Sequence, residues 1–180
     1  MALPSTIYRV NIQLSDVDRG IYESLQATVA RHPSETEERL VARLLAYTLF
    51  FDPELAFTRG VSAGDEPDLW LKGPDNRVQL WVEVGLPEAE RLIKASRHAA
   101  RVAAIVCGKA LPVWEQQHLQ KLGGVPNLTI LRFDHSFIID LAARLDRSIT
   151  WSVTITDNNL YINVGDDTFE SMVQELAGNR

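Results

Sequence analysis

Residues 78–107 constrain the fold more than any other part of the chain. Val78, Leu80, Val82 and Val84 alternate with Gln79, Trp81 and Glu83, the two-residue period of a strand. Gly85-Leu86-Pro87-Glu88 then leads into a helix expected over 88–101, with Leu92, Ala95, Ala99 and Val102 on one face. The apolar run 103–107 follows as a second strand. Strand, helix, apolar strand is a right-handed crossover, so the two strands are expected to lie parallel in one sheet. The pattern repeats once: Pro112 opens another helix, Gly123-Gly124 ends it, and residues 128–133 read as the next strand.

Hairpins are expected on both sides of this core. Tyr8, Val10, Ile12 and Leu14 alternate with Arg9, Asn11 and Gln13, and Leu25, Ala27 and Val29 suggest a returning strand. Ser34-Glu35-Thr36-Glu37 has the form of a capping box, opening a helix that runs to about residue 50. Leu40, Val41, Leu44, Leu45, Thr48 and Leu49 form its buried stripe, with Glu35, Arg39 and Arg43 off it. After a helix through Ile138, Leu141, Ala142 and Leu145, Trp151, Val153 and Ile155 pair across Asp157-Asn158-Asn159 with Leu160, Ile162 and Val164. Phe169, Met172, Val173 and Leu176 have the spacing of a short amphipathic helix. The expectation is therefore an α/β chain, 1–180 as one domain, with a mixed sheet flanked by helices plus an N-terminal and a C-terminal hairpin. At 180 residues it can bury a sizeable core without metal or disulfide staples.

Several function classes are disfavoured at once. A net charge of -6 gives no general electrostatic footprint for nucleic acid, and leaves room only for a local basic site. No stretch is long enough to span a bilayer, and residues 1–15 lack a basic region followed by an apolar run, so neither a membrane anchor nor a secretory signal is expected. Cys107 is the only cysteine and lies in an apolar run; it reads as core filling and fits a reducing, cytoplasmic compartment. The four histidines show no metal-ligand spacing.

One constellation points to chemistry. If residues 74–77 form a symmetric loop, Leu71 faces Leu80, Trp70 faces Trp81, and Asp68 lies opposite Glu83 with Cβ atoms about 5 Å apart. Two carboxylates so placed repel each other unless a cation lies between them. Mg²⁺ or Mn²⁺ is the natural one, and the Val84 carbonyl offers a third protein ligand. Glu38, one turn into the first long helix, is a candidate to hold a metal-bound water. Trp70 and Trp81 read as a packing pair across the hairpin.

Glu38 on a helix, Pro67-Asp68 on a strand and Glu83-Val84-Gly85 on the next resemble the PD-(D/E)XK nuclease superfamily. Along nearly the whole length the chain is similar to the YaeQ family of bacterial proteins. The similarity rests on His32-Pro33-Ser34-Glu35-Thr36, Arg43-Leu44-Leu45-Ala46, Phe57-Thr58-Arg59-Gly60, Trp81-Val82-Glu83-Val84-Gly85-Leu86-Pro87 and the segment 91–94. The resemblance implies a restriction-endonuclease-like core in which Asp68 and Glu83 bind Mg²⁺ for phosphodiester hydrolysis. It departs at Gly85, where the superfamily motif carries a lysine that orients the attacking water. Lys72, about 13 Å along the strand from Asp68, is too far to replace it. Lys94, with Arg91 on an i, i+3 ridge of the crossover helix, is the better candidate to face a phosphate. Two functions follow: a nuclease-like core without chemistry, acting as a binding or regulatory protein, or a Mg-dependent nuclease. The family's proposed association with transcription elongation suits the first, with a protein partner in transcription.

Overall fold

The computed structural model describes residues 4–60 and 64–178. Residues 1–3 of the N-terminal stretch read above lie outside them. In chain order the elements are β1 (Thr6–Asp16), β2 (Ile21–Arg31), α1 (Glu37–Leu49), β3 (Leu55–Phe57), β4 (Leu69–Lys72) and β5 (Val78–Gly85). Then come α2 (Ala89–Ser96), β6 (Arg101–Val106), α3 (Leu111–Trp114), a π-helical turn (Glu115–Leu119), α4 (Gln120–Leu122), β7 (Leu128–Arg132) and α5 (His135–Ala142). The last four strands are β8 (Ser148–Thr156), β9 (Asn159–Val164), β10 (Asp167–Met172) and β11 (Gln174–Ala177).

The chain divides into two compact units, Met1–Val41 with Phe133–Val173, and Ala42–Arg132 with Gln174–Arg180. The first holds a five-stranded mixed sheet in the order β10-β9-β8-β1-β2. The terminal hairpins, expected as additions to one core sheet, instead join each other through a parallel pairing of β1 with β8, Arg9 beside Ser148. Alternation dictates its faces: Tyr8, Val10, Ile12 and Leu14 are buried with Ile149, Trp151, Val153 and Ile155, while the intervening residues of β1 stay in water. Asp157 and Asn158 both take positive φ, the turn that matches strand twist in a two-residue hairpin. The Asp18 carboxylate accepts hydrogen bonds from both of their amides, at 2.8 and 3.1 Å.

The second unit holds a six-stranded mixed sheet, β11-β7-β6-β5-β4-β3. As the crossover pattern requires, β5, β6 and β7 run parallel, with antiparallel strands outside them. The core on one side gathers Leu92, Ala95, Ala99, Val102, Trp114, Leu122, Leu128 and Ile130. α2 is shorter than expected. The Asn127 side-chain amide donates to the carbonyls of Ser96, Ala99 and Ala100, which satisfies the helix end and lets β6 begin at Arg101.

Three further expectations are corrected. Thr36, not Ser34, caps α1: its hydroxyl accepts the Arg39 amide, whereas Ser34 is engaged with the His32 ring. Arg43 is buried to 2% exposure because every residue of α1 from Leu40 on is enclosed, and Glu35, buried just before the helix, accepts a hydrogen bond from Arg39 at 2.9 Å. The C-terminal segment forms β10 and β11 rather than a helix. Pairing with β9 and β7 overrides the helical spacing and leaves Met172 56% exposed.

Candidate functional site

The hairpin of β4 and β5 pairs Leu71 with Leu80, Trp70 with Trp81 and Leu69 with Val82, the expected register, and slips by one residue only at Lys72 and Val78 beside the turn. Asp68 stands immediately before β4, and its amide donates to the Val82 carbonyl at 2.9 Å. Its carboxylate Oδ2 accepts the Val84 amide at 2.8 Å, which brings Asp68 to the end of β5 that carries Glu83. Both acids are buried, at 1% and 5% exposure.

The loop after β3 encloses Asp68. Thr58 donates its amide to the Asp68 carbonyl and its hydroxyl to the Pro67 carbonyl, and the same hydroxyl oxygen accepts the Gly60 amide. Gly60 adopts φ +59°, and a Cβ there would stand 3.6 Å from Asp68 Oδ1 and 4.0 Å from the Arg43 guanidinium carbon. Arg43, from α1, thus converges with Asp68 on one glycine. Composition and spacing alone place Arg43 on the polar side of its helix; only its approach to an acid distant in sequence marks it as part of this site.

Glu83 is held from two sides. Its Oε1 accepts the Trp81 indole N–H at 2.8 Å and Arg91 Nε at 2.7 Å. The rest of the Arg91 fork donates to the carbonyls of Gly64 and Glu66, at 2.6 and 2.7 Å, and its guanidinium lies 6.0 Å from the Trp81 ring centre. One arginine therefore ties α2, β5 and the loop before β4 together. Burial pushes the Glu83 carboxyl above its ordinary value, the Asp68 charge adds to this, and the bonds from Trp81 and Arg91 oppose it. The sequence reading left the two acids unpaired; the structure pairs Glu83 with an arginine that the same reading set aside for a phosphate.

The bonds of this network are made without Lys94, Glu38 or Lys72. Lys94 is exposed, on the turn of α2 after Arg91. Glu38 is half-buried in the first turn of α1 and belongs to the first unit. Lys72 lies over the Trp70 ring, 3.7 Å from its centre. Gly85 takes φ +106°, a backbone conformation that disfavours any L side chain, lysine included. Among the described residues, Glu88, Glu90 and His118 bring ligand atoms within 4.8 Å of one another. The His118 Nδ1 accepts the Ala89 amide there, and Glu90 faces Lys121.

Comparison with known proteins agrees with this architecture. A family model described as "YaeQ protein" matches residues 1–173. "Uncharacterized protein YaeQ" from Salmonella typhi is 39% identical over 164 residues, 91% of either chain, and that from Escherichia coli (strain K12) is 38% identical over the same span. The crystal structure of YaeQ protein from Pseudomonas syringae superposes with a TM-score of 0.94 at 40% identity, covering 99% of each chain. That from Xanthomonas axonopodis pv. citri gives 0.93 at 34% identity, over 97% of this chain and 99% of the other.

Proposed function

From the premise that the chain belongs to the YaeQ family, we propose that it is a binding or regulatory protein whose PD-(D/E)XK-like core uses its acids as braces, not as catalysts. The observation that carries this is the saturation of Glu83 Oε1 by Trp81 and Arg91. A restriction-endonuclease-like reading of the second unit is supported by the β4–β5 hairpin, the α2 crossover and the acids flanking Trp70 and Trp81. The residues do not fit a divalent cation as arranged. One oxygen of Glu83 already serves two donors, Asp68 Oδ2 serves the Val84 amide, and a metal beside Glu83 would meet the Arg91 guanidinium at close range. The superfamily lysine is absent, and φ at Gly85 opposes its return. A net charge of -6 agrees with a protein partner better than with a polyanion, in line with the family's proposed link to transcription.

One observation favours the second reading, a Mg-dependent nuclease: two buried acids share one end of the hairpin, where Asp68 accepts the amide of Val84, the residue next to Glu83. In that case Asp68, Glu83 and the Val84 carbonyl would hold Mg²⁺ or Mn²⁺, with Lys94 or Arg91 facing the phosphate. Calorimetric titration of Mn²⁺ into the protein and into an Asp68→Ala, Glu83→Ala double variant separates the two. Sensitive cleavage assays on single- and double-stranded substrates complete the comparison. Equal, negligible heats are expected, with no cleavage above the Asp68→Ala background. Gly85→Lys is expected to lower stability by about 1–3 kcal/mol without creating activity. Stoichiometric Mn²⁺ binding that the double variant loses, or cleavage that Asp68→Ala abolishes, would establish the nuclease instead.

A further inference from the structure

The charge of the chain is unevenly distributed. Residues 91–132 hold seven lysines and arginines and one acid, Glu115, a balance of +6, whereas the rest of the chain holds eleven and 23, a balance of -12. This stretch comprises α2, β6, α3, the π-helical turn, α4 and β7, and its helices cover one side of the second sheet. They turn Leu92, Ala95, Trp114 and Leu122 inward and leave Lys94, Arg97, His98, Gln117, Gln120 and Lys121 exposed.

Three of the seven cations are engaged within the unit: Arg91 with Glu83, Lys121 with Glu90 and Arg132 with Glu115. Lys94, Arg97 and Arg101, at the end of α2 and the start of β6, make no ion pair among the described residues. The helix dipole accounts for part of this. The negative end of α2 favours a cation at Lys94 and Arg97, but Arg101 stands in a strand, and α3, whose positive end favours an acid, has none in its first turn. The backbone that carries the three cations is fixed. The Asn127 amide bonds the carbonyls of Ser96, Ala99 and Ala100, and the Ala100 amide donates to the Val78 carbonyl at 3.0 Å. A partner therefore meets a surface that needs no ordering.

The occupant that fits is a short acidic segment. A guanidinium takes a carboxylate on two parallel bonds, and Gln117 and Gln120 on the neighbouring helix can both donate to and accept from a peptide backbone. A long polyanion would reach past this face into the field of the acidic remainder. The described helices of the layer also expose no aromatic ring on which bases could stack, Trp114 being 5% exposed.

We propose that the outer side of this helical layer, centred on Lys94, Arg97 and Arg101, docks an acidic segment of a partner protein. The proposal rests on the reading of the chain as a binding protein and names the chemistry of its partner.

Fluorescence anisotropy with fluorescein-labelled deca-glutamate tests it, with a labelled single-stranded DNA ten-mer as the second arm. Deca-glutamate is expected to bind in the micromolar range and to weaken as salt rises from about 50 to about 300 mM. Arg97→Glu with Arg101→Glu is expected to weaken binding about tenfold or more, and Arg97→Gln with Arg101→Gln to fall between, each with the wild-type circular dichroism spectrum. The control pair Arg9→Glu with Arg147→Glu, an equal change of charge at exposed sites of the first unit, is expected to weaken it far less. The Mn²⁺ titration keeps the two readings apart: a chain that takes up neither Mn²⁺ nor deca-glutamate loses this surface and keeps its acids as braces. Deca-glutamate that does not bind at low salt, an Arg97 and Arg101 double variant that binds as well as the wild type, an equal loss in the control pair, or DNA bound more tightly than deca-glutamate overturns the proposal.

Discussion

At the residue scale, Arg91 holds more of the candidate site together than either acid does. It donates in three directions at once, to Glu83 and to the carbonyls of Gly64 and Glu66, which a lysine cannot do from one ammonium. Arg91→Lys is therefore expected to lower stability by about 1–2 kcal/mol in denaturant titrations and to speed amide exchange around residues 64–66. An unchanged midpoint would reduce Arg91 to a surface ion pair. Glu83 makes a separate prediction through pH. Because its folded carboxyl titrates above the ordinary 4.5, its contribution is fully present below that value and declines as pH rises through the raised one. The stability of the wild type relative to Glu83→Gln is therefore expected to fall with rising pH across that window and to level off above it. Thermal melts of both proteins from acid to neutral pH check this. The closeness of Asp68 and Glu83 could be read from loop length and pleat. The arginines near them could not: Arg91 bonds Glu83 and Arg43 comes close to Asp68 at Gly60 from a different helix, and neither periodicity nor spacing encodes the approach of distant segments.

At the element scale, the crossovers were readable because β5, β6 and β7 combine apolar runs with sharp stops, and tertiary structure had no competing pattern to select. The ends of α1 and the C-terminus were harder. Ser34 and Thr36 are both sound caps in sequence. The choice fell to Thr36 because His32 takes the Ser34 hydroxyl. Thr36→Ala is thus expected to cost about 1 kcal/mol and Ser34→Ala far less, measured by equilibrium unfolding. Equal losses would mean that the cap is shared. For the last strands, Phe169, Met172, Val173 and Leu176 satisfy helical spacing, yet Ser171 and Val173 turn inward while Met172 faces water. A buried serine conceals a period of two. Its hydroxyl accepts the Asp134 amide at the start of α5, a purpose that no local pattern announces.

At the scale of the whole molecule, the order of the chain interleaves the two units, since the second obtains its outermost strand, β11, only after the chain has completed the first. Deleting residues 174–180 is expected to strip the cover from β7 and cut the Arg132–Gln174 bond, 2.7 Å long, at a cost of roughly 2–3 kcal/mol. Hydrogen exchange should show the loss in β7 and leave β8 to β10 protected; uniform loss would mean that the units unfold as one.

The parallel pairing of β1 with β8 also sets a timetable on the ribosome. β1 and β2 can close their hairpin as soon as both have emerged, but the strand that completes the other side of β1 is translated about 140 residues later, roughly seven to thirty seconds at ordinary synthesis rates. For that interval the odd-numbered peptide groups of β1, from Arg9 to Ser15, face an edge whose partner strand has not yet been made. On crowded polysomes, neighbouring copies hold the same unfinished hairpin in the same state, each with an open strand edge that the finished sheet closes.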